Sequence, residues 1–316
     1  MHTPPWFVLG AGSIGCLFAA YLSRAGHAVT LILRDRNTVA ELRRAGGIHL
    51  NLPDGDGARE TVACSAISLE ELNTTEQSLS IQRILVCTKA HQTLDAITGL
   101  RPGLDNNAQL ILLQNGMGVR ERIQPLLPTT TIAQAITTEG GWRRSAFEVV
   151  HAGRGETLVG DTRTAAEAEH IAASLGCALH IHADTGFASR QWLKLAVNCV
   201  INPLTGLREC RNGELLHQTD VASLTRRLCG ELRLVAEACG QSLSQVQLEQ
   251  TVFDVMRGTT ANQSSMWQDL QRRRLTEIDF INGYVVRQGH SHGIDCPTHE
   301  ALLRAIQQKE KDLGCA

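Results

Sequence analysis

Lys194, Asn198 and Asn202 stand at intervals of four in Trp192-Leu-Lys-Leu-Ala-Val-Asn-Cys-Val-Ile-Asn202, and on a helix that interval lines three polar heads along one face. Val197, Val200 and Ile201 surround them. An unpaired amide in an apolar wall costs about 1–3 kcal/mol, so the stripe either faces water or converges on something polar. An ammonium on a rigid helix can donate a proton to an oxygen that is gaining negative charge, and an amide one turn on can hold the same oxygen or its neighbour. Pro203 follows and is expected to close the helix, because it removes an amide donor from any further turn. Ser264, Ser265 and Glu277 add a further polar cluster. Ser264 reads as a helix N-cap, which leaves Ser265 in the first turn, where a hydroxyl and adjacent amides suit a carboxylate. Glu277 is either a charge at a helix start or, if the fold carries it to Lys194, the acid that keeps the lysine oriented and charged.

A second constellation opens the chain. Gly10-Ala11-Gly12-Ser13-Ile14-Gly15 lies between the apolar run Phe7-Val-Leu9 and the helical run Leu17-Phe-Ala-Ala-Tyr-Leu22, with Gly26 placed to end that helix. In this setting the first glycine permits a tight turn, the second lets a pyrophosphate approach the backbone and the third packs helix on strand. The helix N-terminus then offers its free amides to the phosphates. Arg34 occupies the end of the second strand, where a dinucleotide enzyme selective for NAD carries an acid. Its planar fork, with Arg36 nearby, suits a 2′-phosphate and therefore NADP. Asp35, one residue on, is the competing ribose ligand. Lys89, in Thr88-Lys-Ala-His-Gln92, and Asn115, in Gln114-Asn-Gly-Met-Gly118, follow later strands. Residues in such places face the ligand crevice, although a solvated lysine and a plain Asn-Gly turn fit the same sequence.

The elements that must position these groups change character near residue 186. Strand patterns at Ala28–Leu33, Ile84–Cys87 and Leu110–Leu113 alternate with helical stretches, the signature of a doubly wound parallel sheet. The stretch 129–161 reads as later strands finishing the same domain. Beyond it, helix periods dominate at 187–202, 219–239, 244–257, 264–273, 276–289 and 298–312. The expected architecture is α/β: a Rossmann-type domain over 1–185 and an all-helical domain over 186–316, with the cofactor half and the substrate half facing one cleft.

The bulk numbers agree with that division. A chain of 316 residues exceeds what one core usually serves. A net charge of −2 gives no general attraction to nucleic acid or anionic membrane, so the expected partner is a small molecule. Ten cysteines without a Cys-x-x-Cys pair read as reduced thiols, and with twelve histidines they show no spacing that calls for a metal. His91, His151 and His290 read as surface or satisfied core groups, and Asp269 and Asp279 as solvated or capping acids. No signal segment or membrane span is legible, which fits a cytoplasmic protein.

Taken together, the glycine turn, Lys89-Ala-His-Gln92, Asn115-Gly-Met-Gly118, Trp192–Asn198 with Asn202-Pro-Leu-Thr205, Asn212-Gly-Glu-Leu215, Ser264–Asp269 and Thr276–Gly283 resemble the ketopantoate reductase family in order and spacing. Trp267 and Arg208 fall at variable places of those motifs. The resemblance implies reduction of 2-dehydropantoate to (R)-pantoate by NADPH, on the way to pantothenate and coenzyme A. It implies Lys194 as general acid, Asn115, Lys194, Asn198, Asn202, Asn212 and Ser265 as substrate ligands, and Glu277 as a catalytic and cofactor-side anchor. It further implies that Gly10–Gly15, Arg34, Lys89 and Asn115 meet the cofactor, and that the protein acts as a monomer or homodimer. Hydride addition to a 2-keto acid needs a donor at the ketone oxygen and a partner for the carboxylate, which these residue types supply. Two other outcomes share much of the pattern. A related 2-keto or 3-hydroxy acid dehydrogenase would keep both halves, whereas an NADPH-binding regulator without turnover would be expected to lack the lysine or the glutamate.

Overall fold

The computed structural model describes residues 4–53, 59–72 and 80–316. Two compact units emerge, one built from Met1–Gln114 with Val119–Phe187 and the other from Asn115–Gly118 with Ala188–Ala316. The first begins with β1 (Trp6–Leu9), α1 (Ser13–Arg24), β2 (Val29–Leu33) and α2 (Arg36–Ala45). There follow β3 (Ile48–Asn51), β4 (Arg59–Val62), β5 (Ser65–Ser68), α3 (Leu69–Leu72), β6 (Ile81–Val86), α4 (Ala90–Leu100), β7 (Leu104–Leu112) and α5 (Val119–Ile123). The unit closes with β8 (Thr131–Thr137), β9 (Gly140–Ser145), β10 (Glu148–Gly153), β11 (Thr157–Gly160), α6 (Ala165–Ser174) and β12 (Ile181–Ala183).

Eight strands form one sheet in the order β12-β11-β8-β7-β6-β1-β2-β5, parallel throughout except where β11 runs against β8. This is the Rossmann-like sheet, and the carboxyl ends of β1, β2, β6 and β7 carry the turns after residues 9, 33, 86 and 112. The stretch 129–161 does supply strands of this unit, but they divide between two sheets. β8 and β11 belong to this one, whereas β9 and β10 join β3 and β4 in a separate sheet ordered β4-β3-β10-β9. Alternating burial marks a half-covered strand and says nothing about which neighbour it pairs with. The second sheet explains a peculiarity of α1, whose residues Gly15–Leu22 are buried without a break. A helix apolar on all sides must be covered on all sides, and α1 packs against β1 and β2 as well as β3, β9 and β10. Within this layer the buried His151 ring lies between Tyr21 Oη (2.8 Å from Nδ1) and Glu139 Oε2 (2.7 Å from Nε2), a satisfied core histidine.

The second unit is helical: α7 (Phe187–Arg208), α8 (Val221–Ala238), α9 (Gln245–Gly258), α10 (Ser265–Gln271), α11 (Asn282–Ser291) and α12 (Pro297–Leu313), with 3-10 turns at Asn212–His217 and Ile278–Phe280. Two expectations fail here. The single helix expected over 276–289 is broken at Ile281, whose φ −105° and ψ −96° fit no helix. And Pro203 does not close α7, which continues to Arg208. Proline deprives the carbonyl four residues earlier, that of Cys199, of its amide donor. Asn282 fills the gap, its Nδ2 donating to the Cys199 oxygen at 3.1 Å. The same amide approaches Nδ1 of His299 at 3.2 Å, while Nε2 of that ring donates to the Leu228 carbonyl at 3.0 Å. Burial holds His299 below the ordinary histidine range, so it serves as a neutral core group.

None of the ten cysteines is in a disulfide. Among the described residues no helix is long and apolar enough to cross a membrane.

Asn282→Ala should destabilise the protein by about 2–4 kcal/mol, because two buried partners lose their hydrogen bond at once. A lowered urea midpoint at unchanged slope is the expected reading; a shift within experimental scatter would show that the helix tolerates Pro203 without help.

Candidate active site

In the first unit the turn between β1 and α1 has the stereochemistry a dinucleotide requires. Gly10 takes φ +99°, and a Cβ there would lie 2.9 Å from the Thr88 amide nitrogen. A Cβ at Gly15 would overlap the Gly10 carbonyl oxygen. At Gly12 the nearest atom is the Cys87 oxygen at 3.8 Å, so that position is open, and no side chain caps the α1 N-terminus. Ala11, Gly12, Ser13 and Ile14 are all partly exposed around it. The open edge and uncapped amides fit a pyrophosphate. Arg143, on β9, donates to the Ala11 carbonyl at 2.7 Å and so braces the turn. Sequence reasoning missed it because the contact depends on the second sheet.

At the end of β2 local geometry gives Arg34 and Asp35 different settings. Asp35 is the N-cap of α2, accepting from the Thr38 amide and the Thr38 hydroxyl, each at 2.8 Å. Those bonds, with Arg34 beside it, hold its carboxyl down at about 2. The carboxylate is thus spent on the helix. Arg34 keeps its side chain 90% exposed, touching Asp35 at 3.0 Å. Lys89, half-buried, is the extended residue that precedes α4, and its carbonyl accepts from Gln92 N and Thr93 Oγ1. Gln114 donates to the Thr88 carbonyl at 3.1 Å and to the Thr93 hydroxyl, tying the loops after β6 and β7 together.

The second unit gathers the remaining residues. Lys194, Asn198 and Asn202 share α7, with Lys194 and Asn198 half-buried and Asn202 buried. Burial pushes the Lys194 ammonium down to about 8, and the negative charge of Glu277 opposes that fall. Glu277 itself is buried, at the entrance to the Ile278–Phe280 turn. The turn is held from both ends. Glu310 accepts from the Thr276 amide at 2.7 Å, and the Phe280 carbonyl accepts from the Met117 amide at 2.8 Å. The second contact brings the Asn115–Gly118 stretch onto the turn that carries Glu277.

Gly116 belongs to that junction, since at φ +82° a Cβ would overlap the Phe280 carbonyl oxygen. This packing accounts for Gly116 and Gly118, since Phe280 and Tyr284 lie against the places their Cβ atoms would take. The Ser264 hydroxyl caps α10 by accepting from the Trp267 amide at 3.1 Å and also accepts from Thr205 at 2.7 Å, one turn beyond Asn202. This leaves Ser265 exposed at the first position of α10. Asn212 donates through Nδ2 to Thr259 at 2.9 Å and through its amide to the Asn262 carbonyl at 3.0 Å, so it fastens the loop leading to Ser264. Its buried Oδ1 has no hydrogen-bond partner among the described residues. Asp269, expected to be solvated or capping, is buried, and its carbonyl accepts from the Arg272 and Arg274 amides. Asp279 is exposed and accepts from Gln307 at 2.8 Å.

One unit thus offers an uncapped helix start beside a glycine turn, and the other an ammonium of depressed pKa beside a buried acid, amides and a hydroxyl. Comparison with known proteins adds to this geometry. The family model described as ketopantoate reductase PanE/ApbA matches residues 6–164, and that for the ketopantoate reductase PanE/ApbA C terminal matches 187–310. The chain is 34% identical to the 2-dehydropantoate 2-reductase of Yersinia pestis, over 96% of this chain and 95% of the relative. A crystal structure of a PanE/ApbA family ketopantoate reductase from Ralstonia eutropha JMP134 superposes with a TM-score of 0.85 at 27% identity, covering 98% of this chain and all of that one. A ternary structure of D-mandelate dehydrogenase with NADH and anilino(oxo)acetate superposes at 0.90, but at 22% identity over 98% of this chain and 100% of the other it bears on the fold alone.

Removing the negative charge beside Lys194 should lower its pKa further below about 8. The chain has four lysines, at 89, 194, 309 and 311, so NMR titration of isotopically methylated amines can follow each one. Glu277→Gln should move only the Lys194 resonance to lower pH. An unmoved midpoint would show that Glu277 does not sustain the lysine's charge.

Proposed function

The chain belongs to the ketopantoate reductase family, and from that premise we propose that it reduces the ketone of 2-dehydropantoate to the alcohol of (R)-pantoate, using NADPH in preference to NADH. The observation that carries this is Lys194: an ammonium whose pKa burial has brought to about 8, opposite a buried glutamate, on a helix that also bears two amides. A general acid works best when its pKa lies near the working pH. The Gly10–Gly15 turn would hold the pyrophosphate of a nicotinamide dinucleotide, which would supply the hydride for the carbonyl carbon. Lys194 Nζ then gives its proton to the ketone oxygen as that oxygen takes up negative charge, and solvent restores the proton. Asn198 and Asn202 orient the substrate's oxygens, Ser265 and Asn115 bind its polar ends, and Asn212 holds the loop that presents Ser265. Glu277 keeps Lys194 charged and aimed, and Lys89 contributes a positive charge on the cofactor side.

What supports NADPH preference is the end of β2, where Asp35 is engaged by Thr38 on one oxygen and by Arg34 on the other, whereas the exposed Arg34 guanidinium can fork onto a 2′-phosphate. Its pairing with Asp35 is a surface contact and competes weakly. On this reading the chain is an enzyme of pantothenate and coenzyme A synthesis, placed in the cytoplasm and working as a monomer or homodimer.

Lys194→Ala should lower turnover by about 10²–10⁴-fold while NADPH binding, read by fluorescence, stays nearly unchanged. In the wild type, kcat/KM for reduction should hold steady at low pH and decline as pH rises through about 8, because the proton donor is lost there; oxidation of pantoate should show the opposite limb. A profile flat through that range would remove Lys194 as the acid. Arg34→Ala should raise the KM for NADPH about 5- to 150-fold, the equivalent of a 1–3 kcal/mol charged hydrogen bond, and leave NADH nearly unaffected. Equal changes for both cofactors would refute the assignment of Arg34 to the 2′-phosphate.

A further inference from the structure

β12 forms the edge of the eight-stranded sheet and runs parallel to β11, with Thr157 opposite Ile181 and Leu158 opposite His182. The pairing extends one step back, since the Thr157 amide donates to the His180 carbonyl at 2.8 Å. Glu156 therefore stands beside His180, and the period of two along a strand sets His180 and His182 on the same face. The side chains converge. His182 Nε2 lies 3.6 Å from Glu156 Oε2, the two imidazole centroids are 4.8 Å apart, and one ligand atom from each of the three residues falls within 4.8 Å of the others. Nδ1 of His182 is buried without a hydrogen-bond partner among the described residues, so this ring has capacity that they do not use.

We propose that Glu156, His180 and His182 form a binding site for a divalent transition ion, Zn²⁺ foremost, which clamps the edge strand β12 to β11. Two imidazole nitrogens and one carboxylate oxygen suit ions of borderline softness, whereas Mg²⁺ and Ca²⁺ prefer oxygen throughout. In a tetrahedral zinc site with bonds of about 2.0–2.1 Å, neighbouring ligand atoms sit roughly 3.3 Å apart. The His182–Glu156 pair is near that spacing already, and His180, being exposed, can close the remainder by side-chain rotation. A fourth position stays open to water. None of the three residues takes part in the reduction, so the site stands or falls independently of it. Sequence spacing pointed to no metal because His180-x-His182 supplies only two ligands and the third comes from the neighbouring strand.

The full-length protein, stripped of metal, should be titrated with Zn²⁺ against a chromophoric chelator, and its thermal unfolding followed with and without Zn²⁺. One equivalent should bind with a Kd on the order of micromolar, and Zn²⁺ should raise the unfolding midpoint by mass action. His182→Ala, His180→Ala and Glu156→Gln should each weaken binding about 10–100-fold, and the double histidine variant should lose the thermal shift. If an alanine variant lowers the metal-free midpoint, His182→Gln, of similar size and polarity, must show the same loss of binding. Co²⁺ in the same site should give weak ligand-field bands without thiolate charge transfer. The proposal is overturned if the double variant binds its first equivalent as tightly as the wild type, if that equivalent shows a thiolate band, or if the wild type binds nothing up to roughly 1 mM.

Discussion

A half-buried ammonium on α7 is the constraint on which the helical unit depends. Lys194 shares its helix face with Asn198 and Asn202, and burial alone would drive it toward its neutral form. Glu277 opposes that drift, so whatever fixes Glu277 also governs the lysine. The acid is fixed by a turn rather than a helix, and the turn is bolted on one side to Glu310 of α12 and on the other to the Met117 amide. Moving the acid by one helical residue would rotate it away by about 100°, following from 3.6 residues per turn. The break at Ile281 lets the chain pass from the turn into α11 without imposing such a rotation.

The same unit handles a second polar problem in its core. Pro203 leaves the Cys199 carbonyl without its helical donor, and a buried carbonyl without a donor costs on the order of 1–3 kcal/mol. Asn282 supplies the donor and, through His299, links α7 to α8 and α12. Glu231 of α8 completes the arrangement by accepting from the Thr298 and His299 amides at the start of α12. The long helix that carries Lys194, Asn198 and Asn202 thus stays continuous across a proline because three other helices are arranged around the defect.

In the dinucleotide unit the corresponding device is the burial of α1 between two sheets. A helix covered on all sides has no freedom to tilt, and its N-terminus is the surface offered to phosphate. Arg143 reaches from the second sheet to the Ala11 carbonyl and so ties the glycine turn to that sheet. The buried Tyr21–His151–Glu139 chain ties α1 to β10 by polar contacts that a slip in register would break.

Local sequence determined what local rules control. The turn at Gly10–Gly15, the strands around 29–33, 84–86 and 110–112, the shared face of Lys194, Asn198 and Asn202, and the capping role of Ser264 all follow from spacing and from conformations that few residue types adopt. The family resemblance rested on the same short motifs. Tertiary structure decided the rest, because it concerns partners remote in the chain. Which sheet β9 and β10 join, and that Arg143 meets the glycine turn, depend on strand pairing that alternation does not encode. That α7 survives Pro203 depends on Asn282, 79 positions beyond it in the chain. That Glu277 acts on Lys194 depends on a turn anchored by Met117 and Glu310. Even the different settings of Arg34 and Asp35, adjacent in sequence, waited on whether α2 began close enough to engage the carboxylate: a helix start leaves amides that need an acceptor, and Asp35 is the near side chain that supplies one.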